Sequence, residues 1–250
     1  MKNSSFSGLQ GGRDSVSELP VGGFLKQSFN DYPGRVSAVI FTRGCNFRCV
    51  YCHNPELVLP DKLARSRQLS REEIFSWLSM NKVLLDAVVI TGGEPTLHAG
   101  LPECIRQIKA LGLEVKLDTN GTNPEMLEQL IRDSLVDYVA IDVKTVLDYR
   151  KYFSLCGGSV TQETVKAVRR SLCLLHESGM DSEARTTLLG SHHTWEDVTE
   201  LIRLIELRFF LQECNTSKTL QVIAEKGFSR KEIAELLETI EPKRKNVCLR

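Results

Sequence analysis

Residues 45–52 read Cys45-Asn46-Phe47-Arg48-Cys49-Val50-Tyr51-Cys52, three cysteines spaced C-x3-C-x2-C on a loop that Gly44 opens. The run just before it, Val36 to Thr42, is β-branched and apolar, so the loop is entered from a strand. Gaps of four and three residues let one short loop reach three iron corners of a cubane with soft thiolates. A cluster that only carries electrons takes four cysteines, so a loop supplying three leaves one iron for another ligand. Two other readings stand beside this one. His53 could complete a Cys3His zinc site, although its adjacency to Cys52 makes shared tetrahedral coordination awkward, and structural zinc pairs are usually split between distant segments. The thiols could also be unrelated core cysteines.

Outward from this loop, short apolar runs alternate with longer helical patterns, the signature of a parallel sheet with crossover helices. Strands are expected at Val36 to Thr42, Ala87 to Thr91, Leu113 to Asp118, Tyr138 to Val143, Ala184 to Leu189 and Phe209 to Gln212. Helices are expected at Ser70 to Asn81, Leu101 to Leu111, Pro124 to Ser134, Thr161 to Ser178 and Trp195 to Ile205. Ser70-Arg71-Glu72-Glu73 reads as a capping box, and Thr194 with Asp197 as a related arrangement. Six β/α units suit an α/β fold built as an open partial (βα)6 barrel better than the eight of a closed one. In such a fold active groups lie at strand C-termini. The unusual residues fall there: the cysteine loop after the first strand, Gly92-Gly93-Glu94-Pro95 after the second, Asp118-Thr119-Asn120-Gly121 after the third, and Asp142-Val143-Lys144 at the fourth.

The chain has 250 residues, enough for a sizeable core in one domain. Its 32 basic residues balance 32 acidic ones, so net charge points to no nucleic-acid partner, and the basic run Pro242 to Lys245 reads as solvated. No window approaches the about 20 apolar residues of a membrane span, and the Ser- and Gly-rich start carries no signal-peptide block; a cytoplasmic location is expected. The organisation expected is a flexible leader over 1–22, the barrel over 23–215, and a helical extension over 216–250 with an amphipathic helix from Ser229 to Ile240. Eight cysteines without a secretion signal favour metal binding over disulfides. Cys104, Cys156, Cys173, Cys214 and Cys248 show no ligand spacing, and Cys104 and Cys173 suit helix cores. His98 reads as a surface or capping residue, His192 and His193 as solvated loop residues, and Trp77 with Ile74 and Leu78 as a packing face.

The cysteine loop, Tyr51 before its last cysteine, and Gly92 to Pro95 after the second strand resemble the radical S-adenosylmethionine (SAM) superfamily. Within it, Phe29-Asn30-Asp31-Tyr32-Pro33-Gly34, Phe41 to Phe47 and Cys52-His53-Asn54-Pro55-Glu56 are similar to activating enzymes of anaerobic ribonucleoside-triphosphate reductase, and more broadly of pyruvate formate-lyase. The resemblance runs from about Gly23 to Gln212. It implies that Cys45, Cys49 and Cys52 hold a [4Fe-4S] cluster with one iron open to SAM. It places Gly92, Gly93, Glu94 and Pro95 at the SAM amino group, Tyr51 along the adenine, and Lys144 at the SAM carboxylate. Asp118, Thr119 and Asp142, with a backbone carbonyl near Ala140, match positions that help hold a monovalent cation beside SAM. The formate-lyase activators usually carry a histidine after the last strand, where this chain has Leu211-Gln212-Glu213-Cys214.

The activity so implied is reductive cleavage of SAM, with an electron from reduced flavodoxin or ferredoxin, to a 5′-deoxyadenosyl radical that takes a hydrogen atom from a glycine of a partner glycyl-radical enzyme. The partner expected is anaerobic ribonucleotide reductase. A small-molecule radical SAM enzyme, such as the synthase of 7-carboxy-7-deazaguanine, is the rival within enzymes. A non-catalytic zinc-binding module is the rival outside them.

Overall fold

Eight strands lie side by side in the order of the chain, each hydrogen-bonded to the next. The computed structural model describes residues 18–65, 68–223, 228–239 and 246–249; most of the expected leader and the run Pro242 to Lys245 lie outside the described residues. The elements are β1 (Val21–Ser28), β2 (Ser37–Thr42), α1 (Pro60–Arg65), α2 (Arg71–Asn81), β3 (Ala87–Gly92), α3 (Leu101–Ala110), β4 (Glu114–Thr119), α4 (Pro124–Arg132), β5 (Tyr138–Asp142), α5 (Tyr149–Cys156), α6 (Gln162–Ser178), β6 (Ser182–Leu188), α7 (Trp195–Leu204), β7 (Arg208–Glu213), α8 (Arg230–Thr239) and β8 (Val247–Leu249). The six expected strands are β2 to β7, parallel throughout. Asp118 of β4, Arg185 of β6 and Gln212 of β7 line one cleft with the cysteines that follow β2, so the sheet curls into a partial barrel.

Period-two alternation sorts each strand between two environments. Ala38 and Ile40, Val88 and Ile90, Val115 and Leu117, and Val139 and Ile141 enter the large core beneath the helices. Their alternates Val39, Ala87, Val89, Tyr138 and Ala140 form a separate cluster with Tyr32 on the concave face. Further along that face the alternation delivers charge instead: Lys116 and Asp118, Asp142, and Glu183 and Arg185. Helix starts are capped as expected. Ser70 Oγ accepts from the Glu73 N–H at 3.2 Å, and Thr194 and Asp197 form a full capping box. Each such cap contributes about 1 kcal/mol. Ile74 and Leu78 are buried, and Trp77 stacks edge-on against Phe24 with ring centroids 5.4 Å apart.

Four elements were absent from the sequence reading, among them the six-residue α1. The β1 strand runs antiparallel to β2 and begins inside the stretch expected as leader. Its Gly22 lets the chain approach Leu57 and Arg43, which a Cβ would meet at 2.4 and 2.7 Å. α5 follows β5, and β8 adds a parallel edge beside β7. Ile233 of α8 is fully buried in the main core, so the described part of the C-terminal extension joins the sheet rather than standing apart from it.

Candidate active site

Gly44, in the left-handed region at φ 87°, turns the chain out of β2 and into the cysteine loop. The loop is strapped down by its backbone. The N–H groups of Arg48 and Val50 donate to the carbonyls of Cys156 and Leu155 at the end of α5, at 2.6 and 3.0 Å. Arg48 Nη1 donates to the Cys45 carbonyl at 2.6 Å, and the Phe47 N–H reaches Cys45 Sγ at 3.3 Å. Asn46 ties the loop to the end of β4, accepting from Asn120 Nδ2 at 2.9 Å and donating to Thr122 Oγ1 at 2.9 Å. Burial pushes the Cys45 thiol up to about 12, helped by the Glu94 charge, and raises that of Cys52. The Cys49 thiol is instead drawn below its usual value by a hydrogen bond with Cys156, against the effect of burial.

The Gly92-Gly93-Glu94 turn lies directly on this loop. The N–H groups of Gly93 and Glu94 donate to the carbonyls of Thr42 and Gly44 at 2.9 and 2.8 Å. A Cβ on Gly93 would sit 1.8 Å from the Gly44 oxygen, and Gly92 has φ 115°, so both positions exclude a side chain. Glu94 is buried, and burial raises its carboxyl pKa while hydrogen bonds oppose the rise. Its Oε1 accepts from the Thr96 N–H (3.1 Å), Thr96 Oγ1 (2.6 Å) and Thr119 Oγ1 (2.7 Å). Its Oε2 accepts from the Asn120 N–H at 2.7 Å and, with that single donor, keeps acceptor capacity.

Across the cleft Lys144 Nζ lies 3.1 Å from Asp142 Oδ2 and 5.8 Å from the centre of the Tyr51 ring. Burial disfavours the Lys144 charge, but Asp142 outweighs it and holds the ammonium form well above its ordinary range. Tyr51 is buried, and its hydroxyl has no partner among the described residues. Asp142 and Arg185 are register partners on β5 and β6, joined by Arg185 Nε to Asp142 Oδ1 at 2.8 Å. Burial works against the Asp142 charge, yet Arg185 and Lys144 pull the carboxyl well below the usual carboxylate range.

One cleft, about 230 Å³ in volume, therefore gathers Cys45, Cys49, Cys52, Tyr51, Gly92, Gly93, Glu94, Asp118, Thr119, Asp142 and Lys144. Pro95 is buried behind it and starts a short 3-10 turn, Pro95–Leu97. The Thr119 hydroxyl serves Glu94 rather than joining Asp118 and Asp142. Asn120, from the Asp118 to Gly121 motif, also lines the cleft, as do Arg185, Thr187 and Gln212, which were missed in the sequence. The only available signal was the charge pattern Glu183-Ala184-Arg185 inside a strand.

Several expectations need correction. His193 is buried rather than solvated: its Nε2 donates to the Lys144 carbonyl at 2.9 Å, and its Nδ1 accepts from the Leu189 N–H at 3.1 Å. Cys173 is exposed on α6, whereas Cys104 is in the core as expected. His98 caps the Pro95–Leu97 turn, as the capping alternative expected, but it is half-buried rather than a surface residue, with its Nε2 shielded from solvent and unpartnered among the described residues. Among the described residues no helix is long and apolar enough to cross a membrane.

The model of the radical SAM superfamily matches residues 39–205. The chain is 39% identical over 187 residues to a Methanocaldococcus jannaschii protein named as a glycyl-radical enzyme activating enzyme, covering 74% of this chain and 75% of that one. It is 27% identical over 176 residues to a Pyrococcus horikoshii protein named as a GTP 3′,8-cyclase, covering 68% of this chain and 54% of that one. Among solved structures, Streptococcus suis SuiB bound to S-adenosylmethionine aligns with a TM-score of 0.65 at 18% identity, covering 85% of this chain and 49% of SuiB. That likeness speaks for the fold alone, and this chain spans about half of SuiB's length. A family match running from β2 into the helix before β7, joined to a relative of this identity along most of its length, makes the chain a member of the radical SAM superfamily, and so an enzyme rather than a non-catalytic zinc-binding module.

Proposed function

We propose that this chain is an activating enzyme that reductively cleaves SAM and generates a glycyl radical on a partner enzyme, with anaerobic ribonucleoside-triphosphate reductase as that partner. The observation that carries this reading is the convergence of three thiols, the Gly92 to Glu94 turn and Lys144 on one cleft, together with the activating-enzyme name of the Methanocaldococcus relative. The donor set fits a [4Fe-4S] cluster. Three soft thiolates on one loop suit the iron corners of a cubane and leave one corner for another ligand. The N–H group directed at Cys45 Sγ is the kind of donor that stabilises a ligating thiolate. When bound, the cluster supplies the electron, received from reduced flavodoxin or ferredoxin, that splits SAM into methionine and a 5′-deoxyadenosyl radical.

This chain's residues bind and orient. Cys45, Cys49 and Cys52 would hold the cluster through three thiolates, a donor set one short of its four irons. Glu94 Oε2 takes the SAM ammonium, Lys144 takes the carboxylate, and Tyr51 lies along the adenine. The buried turn and loop keep water from the reacting carbon. The radical then removes one hydrogen atom from a glycine Cα, giving 5′-deoxyadenosine and the glycyl radical.

Mixing anaerobic protein, SAM, reductant and the reductase is expected to give the doublet electron-paramagnetic-resonance signal of a glycyl radical. Deuterium from the glycine is expected in 5′-deoxyadenosine. The cyclase relative favours a second reading, a small-molecule radical enzyme. A reductase that stays radical-free while a nucleotide or pterin accelerates SAM cleavage would establish that reading instead.

A further inference from the structure

The resemblance places a monovalent cation between Asp118 and Asp142, and the residues present do not fit one. Each of the four carboxylate oxygens already faces a cationic nitrogen. Asp118 Oδ1 pairs with Lys116, whose side chain is 1% exposed. Asp118 Oδ2 lies 3.4 Å from Arg185 Nη2, Asp142 Oδ1 lies 2.8 Å from Arg185 Nε, and Asp142 Oδ2 lies 3.1 Å from Lys144 Nζ. The Thr119 hydroxyl is turned away to Glu94.

We infer that the Arg185 guanidinium is the built-in counter-cation of this site, bridging Asp118 and Asp142 so that the chain binds SAM without a monovalent metal ion. A guanidinium suits the task because its planar fork spans two carboxylates from one strand position, and it is never deprotonated in proteins. The register pairing of Asp142 with Arg185 makes this geometry a property of the sheet. Charge balance agrees. On the strands Asp118, Asp142 and Glu183 are matched by Lys116, Lys144 and Arg185, which leaves Glu94 as the cleft's remaining carboxylate among the described residues, the one proposed for the SAM ammonium. A further cation would have to displace Arg185 or lie against it without a free carboxylate. Arg185 also holds Asp142 against Lys144, so it positions the group proposed for the SAM carboxylate.

The inference rests on the SAM placement proposed above. Its test is the SAM dissociation constant of cluster-loaded protein in potassium, sodium or tetramethylammonium chloride at equal ionic strength, with thallium-205 NMR reporting cation binding directly. Affinity is expected to vary less than about twofold among the salts, since screening is held constant, with no thallium binding. Arg185→Ala is expected to bind SAM at least about tenfold more weakly in tetramethylammonium, because a buried charge pair has been broken, and to recover in potassium. Wild-type affinity that rises tenfold with potassium or sodium, or an Arg185→Ala variant that binds SAM like wild type in every salt, would overturn the inference. The wild-type salt series stands even if the variant does not fold. SAM that binds in no salt contradicts the proposed function itself, whereas SAM that binds only with an alkali cation contradicts this inference alone.

Discussion

His193 Nε2 donates to the carbonyl of Lys144 at 2.9 Å, anchoring the backbone of one of the cleft's cations from the loop after β6. Its Nδ1 lies 3.1 Å from the Leu189 nitrogen and 3.2 Å from the Leu189 carbonyl oxygen, and accepting from the N–H is the arrangement of the neutral ring. Burial lowers its pKa below the ordinary imidazole value, and the backbone carbonyls oppose the shift only in part. As pH falls below about 6.5, the unfolded chain takes up a proton that the folded chain refuses, so stability decreases. Urea unfolding at stepped pH is expected to show a shallower acid loss in His193→Gln than in wild type. Equal slopes would remove this role.

Gly93 and Gly44 are in backbone contact, so Gly93→Ala forces a Cβ to within 1.8 Å of a carbonyl oxygen. Overpacking against movable side chains costs about 1–3 kcal/mol; a backbone oxygen yields less, and the loss is expected to exceed that range or to abolish iron uptake. Gly112, at φ 84° with nothing near its missing Cβ, is the control. Gly112→Ala is expected to cost about 1–2 kcal/mol, from strain alone. Thermal melts and iron assays of both variants decide the point.

The sequence made six strands and six helices legible because β-branched runs, amphipathic periodicity and capping boxes are local signals, and its motifs, with the resemblance they carry, named eleven of the residues that line the cleft. What it hid depended on contacts. Val21-Gly22 looks like the end of a leader until Gly22 is seen against Leu57 and Arg43. The eight-residue α5 and three-residue β8 are too short for periodicity to register. Arg185 is an ordinary charge in the sequence, and only strand register brings it to Asp142, whereas Lys116 meets Asp118 through the period-two alternation of a single strand. His193 is buried by a turn of the chain that its neighbours do not announce.

Lys144→Ala and Glu94→Ala are expected to weaken SAM binding while leaving iron content unchanged. Removing one partner of a buried charged pair costs about 2–5 kcal/mol, which is a tenfold or larger rise in the dissociation constant. Calorimetry on anaerobic protein measures it. Wild-type affinity in both variants would show that SAM is bound elsewhere.

Replacing Cys45, Cys49 or Cys52 by Ala is expected to abolish a complement of about four irons per chain. Cys104→Ala and Cys173→Ala are expected to retain it, one thiol being buried in α3 and the other exposed on α6. Iron loss in either control equal to that in the loop variants would contradict the three-cysteine assignment.

The most direct measurement is a single turnover: anaerobic, cluster-loaded protein is reduced by one electron in the presence of SAM, and the products are counted. Methionine and 5′-deoxyadenosine are expected in equal amounts, with neither formed by the Cys45, Cys49 or Cys52 variants. Reduced wild-type protein that binds SAM and leaves it intact, or protein prepared without oxygen that holds zinc and takes up no iron, would contradict the account.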